Sequence, residues 1–418
     1  MTFWQKLGLG KWALISSILI LTACQASRPP ISLSQKQDSL PETIIFWFGI
    51  HEEYALPEQI TQYEKFLKSE IAKFHHIYPG TNVLIKLVPE QELIPRFLQA
   101  TERGLGPDLI HTETLTLFQL LKTHRIRPIT SPKFVLENFR PDALTQVSSD
   151  DYTYALPSYL GTQVLCYNKQ KVHQVPTTLT ELLQQARMGY SVGLLSNFED
   201  TLWGTQIFGG KVFNNQGQGI LDQGGWAKWM NWLKMAEDEP NFILNDDPLA
   251  LQKAFIDGQL AYMVCWSPSI PILRQLLGPD KFGVAVLPGE GKHFAGPPLI
   301  LGVFVFSAIS SPQQSELALK FAQFLTNPEQ QRTWVSQWQA AIPSNKQVMI
   351  DKRLFPVQGV IQSQSQTAIT FTLEEVERLK WISKEGQGLY QKVLLGDISS
   401  EAAATELTQI INAESKEK

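Results

Sequence analysis

Thr43-Ile44-Ile45-Phe46-Trp47-Phe48 is an unbroken β-rich apolar run, and Pro57 to Phe74 follows it with Ile60, Tyr63, Leu67, Ile71 and Phe74 on one helical face. That change of period, from strand to amphipathic helix, decides the fold. Pro79-Gly80 stops the helix, and the same change then repeats. Asn82 to Val88 reads as a strand, Glu90 to Glu102 as a helix, and Leu109-Ile110-His111 as a strand after the turn Gly104-Leu105-Gly106-Pro107-Asp108. A helix over Leu115 to His124 completes a third unit. Strands alternating with helices in this way predict parallel βαβ layers and an α/β fold.

The pattern resumes beyond Tyr152, with Gly193 to Leu195 and Leu260 to Cys265 as strands. Helix starts are written clearly there. Thr178-x-x-Glu181 and Ser311-x-x-Gln314 are capping boxes, in which each end of the pair satisfies a free backbone N–H. Asp247-Pro248, Ser311-Pro312 and Asn327-Pro328 each place a cap residue before proline at the first helical position. Trp226 to Leu233 is a helix whose Trp226, Trp229 and Trp232 are expected in the core or on partly buried surface rather than on a ligand. Cys166 and Cys265 each sit in an apolar, strand-like run, and two separate buried thiols are expected rather than a bridge. No CxxC, HExxH or Cys/His cluster supports a metal site.

A chain of 418 residues exceeds what one hydrophobic core usually serves, so two lobes are expected. With 43% hydrophobic and 18% charged residues it belongs with globular chains and not with disordered ones. The formal charge is -4, and no basic block or stripe exists, which argues against a nucleic-acid partner. No short-period repeat is present.

The N-terminus has the layout of a bacterial lipoprotein signal. Lys6 and Lys11 start it, Trp12 to Leu21 is apolar and uncharged, and Leu21-Thr22-Ala23-Cys24 ends it with small residues before a thiol. The apolar run is far shorter than the roughly 20 residues that span a bilayer. The reading is a signal peptide over 1–23, acylation of Cys24, and a flexible Ser-, Gln- and Pro-containing tether over 24–40. The mature chain would lie on the periplasmic or cell-surface side of a bacterial membrane, held by its lipid.

Several segments, in order and spacing, resemble the extracellular solute-binding proteins of ABC importers, in their sugar-binding, maltose-binding-protein-like group. They are Ile44-Ile45-Phe46-Trp47-Phe48-Gly49, Tyr78-Pro79-Gly80, Gly106-Pro107-Asp108-Leu109-Ile110, Tyr154-Ala155-Leu156-Pro157 and Leu165-Cys166-Tyr167-Asn168-Lys169. Further along come Ala254-Phe255 with Gly258, Phe282 to Gly289, Ala318 to Glu329 and Ile342-Pro343-Ser344. The resemblance covers roughly residues 42–350 and fits the last part of the chain less well. It implies a two-lobed periplasmic-binding-protein fold, each lobe a mostly parallel sheet flanked by helices, with the ligand cleft between lobes. Lobe 1 would be 41–153 plus 284–326, lobe 2 would be 154–283 plus 327–412, and 413–418 a tail.

Carried over position by position, the resemblance implies ligand contacts from Trp47, His51 and Glu52 after the first strand, and from Thr112 and Glu113 after the Gly-Pro-Asp strand. Tyr159 and Gly161 lie at the crossing, and Asn197, Glu199 and Trp203 follow in the second lobe. Trp266, Ser267 and Ser269 come after the strand ending at Cys265, and Leu299, Ile300 and Gly302 after Gly296-Pro297-Pro298. A core role is as well supported for Trp47, and solvated loop carboxylates are the alternative for Glu52 and Glu199. The chemistry suits a sugar, whose C–H faces stack on aromatic rings while its hydroxyls need donors and acceptors at the rim. Thr112, Leu115 and Gly161 depart from the maltodextrin-binding pattern, so the particular sugar does not carry over.

The function implied is a non-enzymatic, cofactor-free, monomeric receptor. It would deliver a sugar, polyol or oligosaccharide to an ABC permease and its cytoplasmic ATPase. Two alternatives stand beside it: a secreted glycoside-processing enzyme working through paired carboxylates, and a ligand-sensing lipoprotein of the same fold.

Overall fold

In the computed structural model, residues 42–52, 57–129, 133–149, 151–214 and 217–417 are described. The signal segment, Cys24 and the tether lie outside them. Pro41–Lys418 forms one compact unit.

The opening stretch forms β1 (Glu42–Ile50), α1 (Pro57–Ile77), β2 (Thr81–Pro89), α2 (Glu90–Glu102), β3 (Leu109–Glu113) and α3 (Thr114–Leu121). Within β1, Ile44, Phe46, Phe48 and Ile50 are buried toward one face, where Phe46 meets Phe321 edge-on at 5.6 Å. Trp47 is buried in a different cluster, with Val88, Ile110 and Phe97. Both faces of the sheet are therefore covered, which is what makes a strand of continuous apolar residues stable. Short pieces follow: β4 (Ile126–Arg127), α4 (Lys133–Leu136), α5 (Pro141–Thr145) and the hairpin β5 (Ser148–Ser149) with β6 (Tyr152–Thr153).

Only Thr162 separates β7 (Ala155–Gly161) from β8 (Gln163–Asn168), and at that residue the chain passes from the first sheet to the second. The second half adds α6 (Leu179–Arg187), β9 (Val192–Leu195), α7 (Phe198–Thr201), α8 (Gly225–Glu237), β10 (Phe242–Asn245), α9 (Pro248–Ile256), β11 (Tyr262–Trp266), α10 (Ile270–Leu277) and β12 (Phe282–Ala285). It continues with β13 (Ile300–Ser307), α11 (Pro312–Leu325), α12 (Pro328–Trp338), β14 (Ile342–Pro343), α13 (Pro356–Ser365), α14 (Leu373–Leu395) and α15 (Ser400–Glu417).

The first sheet has the order β14-β7-β13-β3-β1-β2, with β4 beside β13, and the second the order β10-β9-β11-β8-β12. The expected parallel layers are β3-β1-β2 and β10-β9-β11. In the first sheet β13 and β14 run against the others, and in the second β8 does. Of these, β8 and β13 are the strands at which the chain crosses between sheets without a helix, so no βαβ handedness constrains them. Strand pairing also moves the expected boundaries. Residues 155–161 join the first sheet through β13, and β14 joins it through β7. α12 packs there too, with Trp338 stacked on Tyr63 at 4.0 Å.

Both capping boxes form, at Thr178 and at Ser311, and Asp247 and Asn327 cap α9 and α12 ahead of proline. The tryptophans of α8 are core as expected: Trp229 stacks on Trp232 at 5.0 Å, and both lie with Trp226 in a third cluster, together with Leu165 of β8 and Val192 of β9. The cysteines are a correction. Cys166 and Cys265 form a disulfide, with a Cα separation of 6.0 Å. β8 and β11 are antiparallel neighbours in which Cys166 lies opposite Met263 and Cys265 opposite Val164. The two thiols are thus diagonal on one face of the pair, a distance that long side chains or a bridge can span. Among the described residues no helix is long and apolar enough to cross a membrane.

Candidate functional site

β1, β3, β7 and β13 build one wall. Glu113 is in register with Gly302, and Gly302 with Tyr159, so these three form a row across β3, β13 and β7. Gly302 is what allows the row to close. A Cβ there would sit 2.4 Å from the Tyr159 ring, far inside contact distance. Tyr159 lies nearly parallel to Trp334 with 6.3 Å between ring centres. Burial first, and then the charge of Glu113, hold its phenol well above the usual range, so it stays a neutral donor. At the end of β1, His51 reaches Glu113, with Nε2 3.3 Å from Oε1, and Glu52 beside it is exposed.

Glu90 belongs to this wall although sequence reading passed over it. It opens α2 and accepts hydrogen bonds from Thr112 and from Thr116 Oγ1, the latter at 2.7 Å. Burial, with Glu113 second, raises its carboxyl. Behind the wall, burial lowers His111 to about 3; its Nε2 is 2.8 Å from Ser158 Oγ and its ring stacks on Phe48.

The other wall comes from the second sheet. Asn197 caps the short α7 by accepting from the Asp200 N–H at 2.8 Å, and its Nδ2 donates to Asp200 Oδ2 at 2.7 Å. Asp200 Oδ1 in turn accepts from Trp266 Nε1 at 2.7 Å, so the indole at the end of β11 is held by its polar edge. Gln163 Nε2 donates to the Asp200 carbonyl at 2.9 Å, which ties the same group to the crossing point. Glu199 is open to solvent, yet its crowded surroundings strip enough water to raise its carboxyl. Asp200 and, from the opposite wall, Glu113 add to that rise, while Lys380 of α14 opposes it. Glu113 of the first wall is thus near enough to Glu199 of the second for its charge to act on that carboxyl.

At the crossing the walls meet. Thr162 N donates to Ser267 Oγ at 3.2 Å, Ser267 N to the Thr162 carbonyl at 3.0 Å, and Thr162 Oγ1 to the Pro298 carbonyl at 3.0 Å. A Cβ on Gly161 would lie 2.7 Å from Ser267 Oγ and 3.2 Å from Ile300, so only glycine fits between them. Ser269 Oγ donates back to the Trp266 carbonyl at 2.7 Å.

The structure therefore gathers His51, Glu113 and Tyr159 on the first wall and sets Trp266 against Asp200, next to Glu199, on the second, with Glu52 exposed beside His51. Asn197, Ser269 and Ile300 are partly exposed, whereas Trp47, Thr112, Gly161, Trp203, Ser267, Leu299 and Gly302 are buried. Trp203 is fully buried against Trp229 at 4.8 Å, a correction of its assignment as a ligand contact. Trp47 and Leu299 are core as well, the first with Lys86 Nζ 5.0 Å above its ring. Thr112 and Ser267 are buried and bonded within the protein, and Asn197 acts as a cap. Glu90, Asp200 and Lys380 were missed because each is brought in by a distant segment. Only the Asn197-x-x-Asp200 spacing gave a local hint.

Among the described residues no group of three or more His, Cys, Asp or Glu side chains is arranged to hold a metal ion. What remains is a tyrosine with a carboxylate on one wall, and a tryptophan with a carboxylate on the other.

A family model described as bacterial extracellular solute-binding protein matches residues 71–352. Among solved structures, a cyclo/maltodextrin-binding protein complexed with maltotetraose is 20% identical, with a TM-score of 0.75 over 90% of this chain and 97% of its own. The maltose-binding periplasmic protein of Listeria monocytogenes, in complex with maltose, is 16% identical, with a TM-score of 0.75 over 91% and 99%. The maltose-maltodextrin binding protein of Alicyclobacillus acidocaldarius is 18% identical, with a TM-score of 0.71 over 88% and 100%. At these identities the likeness is one of fold: two lobes around a cleft.

Proposed function

This chain belongs to the bacterial extracellular solute-binding proteins, a family of binding proteins and not of enzymes, and on that premise we propose that it captures a sugar between its two walls and hands it to an ABC permease with a cytoplasmic ATPase. The observation that carries the reading is the row Glu113, Gly302 and Tyr159 on the first sheet and, across the Thr162 crossing, Trp266 held by Asp200 beside Glu199 on the second. Aromatic rings offer platforms for the apolar faces of a pyranose, and the carboxylates accept from its hydroxyls. The maltose and maltotetraose held by structural neighbours support the same ligand class. The Leu21-Thr22-Ala23-Cys24 stretch supports acylation at Cys24 and a place on the outer side of a membrane.

A thermal-shift screen against mono- and oligosaccharides tests the proposal, since a ligand that binds only the native state raises the midpoint by mass action. The hits are then recovered and examined by chromatography. An unchanged sugar is expected, and a cleaved one would replace the receptor by a glycosidase. For a hit, Trp266→Ala is expected to weaken binding by about 1–3 kcal/mol, the worth of one large apolar contact. Equal affinity with lower stability would make Trp266 a core residue.

A further inference from the structure

Trp266 is partly buried at the end of β11, where the register sets it opposite Gln163, the residue next to the crossing at Thr162. Its Nε1–H donates to Asp200 Oδ1 at 2.7 Å. An indole has no second donor and no acceptor, so the side chain keeps nothing with which to bond a hydroxyl. What it still offers is a ring face, which suits the apolar C–H face of a pyranose and not its polar rim.

Asp200 is in turn held from several sides. Its Oδ2 accepts from Asn197 Nδ2 at 2.7 Å, and its Oδ1 accepts also from Gln163 Nε2 at 3.3 Å. The same glutamine amide donates to the Asp200 carbonyl at 2.9 Å. The Asp200 N–H donates to Asn197 Oδ1 at 2.8 Å. With its oxygen used there, Asn197 can present only its amide nitrogen to the side chain at position 200. That side chain must therefore accept from Asn197 on one atom and from Trp266 on the other. A carboxylate does both, and an amide of the same shape cannot.

We infer that Asp200 is a positioning residue that fixes the Trp266 indole by its edge, withholds its N–H from the ligand and ties its orientation to the crossing through Gln163. The second wall then selects a ligand by the ring face it can lay on the indole. Asp200 acts through Trp266 and not on the ligand itself. The inference rests on the sugar reading above and on Trp266 as a platform.

The network can be broken and rebuilt. Asp200→Asn keeps the shape but turns one acceptor into a donor, which then meets the N–H of either Asn197 or Trp266. Combining it with Asn197→Asp exchanges the two groups: the carboxylate at 197 still caps α7 and accepts from the amide at 200, whose oxygen accepts from Trp266. An unchanged melting midpoint verifies folding of each variant. Without ligand, hydrogen exchange of the Trp266 indole N–H is followed in an isotope-edited spectrum of labelled tryptophan, the signal being assigned by its loss in Trp266→Phe. Exchange is expected to be about tenfold faster in Asp200→Asn and slow again in the double variant. With a sugar from the thermal screen, calorimetric titration is expected to show binding about tenfold weaker in the single variant and restored in the double. Equal exchange in the wild type and Asp200→Asn, or a double variant no better than the single, overturns the positioning role while the sugar reading stands. Faster exchange with unchanged affinity overturns it as well, since the held indole would then not matter to the ligand. If no sugar of the screen binds, the sugar reading falls and the platform with it.

Discussion

Replacing Cys166 and Cys265 together by serine is expected to lower the unfolding free energy by about 2–5 kcal/mol, near the upper end of that range. The bridge joins positions 99 residues apart, so it removes a large closure entropy from the unfolded chain. Cys166 is fully buried and Cys265 nearly so, and in the variant two hydroxyls would have to be accommodated there. Urea unfolding of the oxidised wild type, the reduced wild type and the double variant measures the effect. The first should unfold at clearly higher urea than the other two. A midpoint unmoved by reductant would show that the thiols are not joined. Because Cys265 directly precedes Trp266 in β11, the reduced protein is also expected to bind ligand less tightly.

Trp203→Ala is expected to cost about 3–5 kcal/mol of stability, the range for deleting a large aromatic from a core. Its indole is fully buried against Trp229 and its Nε1–H bonds to nothing, so the loss is one of packing and of the cavity left behind. Ligand affinity measured well below the variant's melting midpoint is expected to match the wild type. A variant of normal stability that has lost affinity would return Trp203 to the cleft. Paired with Trp266→Ala, it separates the tryptophan that packs the second lobe from the one that faces the ligand.

Local signals made part of the fold legible. The change of period after Phe48 sets β1 and α1, and the caps at Thr178, Asp247, Ser311 and Asn327 start their helices where side chain and backbone geometry coincide. Resemblance supplied the rest of the architecture. Register escaped both. Whether Cys166 meets Cys265 depends on how β8 slides against β11, and a one-residue slip would send the thiols to opposite faces. The α14 and α15 helices were not foreseen, although Thr372-x-x-Glu375 is a capping box at the start of α14. Their importance comes from tertiary placement: α14 pairs its Glu377 with Lys122, just after α3, and carries Lys380 toward Glu199. The cleft divides the same way. Glu113, Tyr159 and Trp266 were candidates through the resemblance, which sets ligand contacts near strand ends, where α/β sheets leave loops free. Glu90 and Asp200 were not, since hydrogen bonds to Thr112 and Trp266 define them and no spacing announces those pairs.

The central claim is that one ligand touches both walls and thereby favours their approach. Glu113 stands on one wall and Glu199 on the other, and hydroxyls placed between them would complete hydrogen bonds only when the walls are close. The proposed hinge is the crossing at Thr162, which hydrogen bonds to Ser267 and Pro298 hold between the two sheets. Small-angle scattering with and without a saturating sugar identified by the thermal screen measures this directly. The radius of gyration is expected to fall on binding; a value unchanged at saturation would contradict the account.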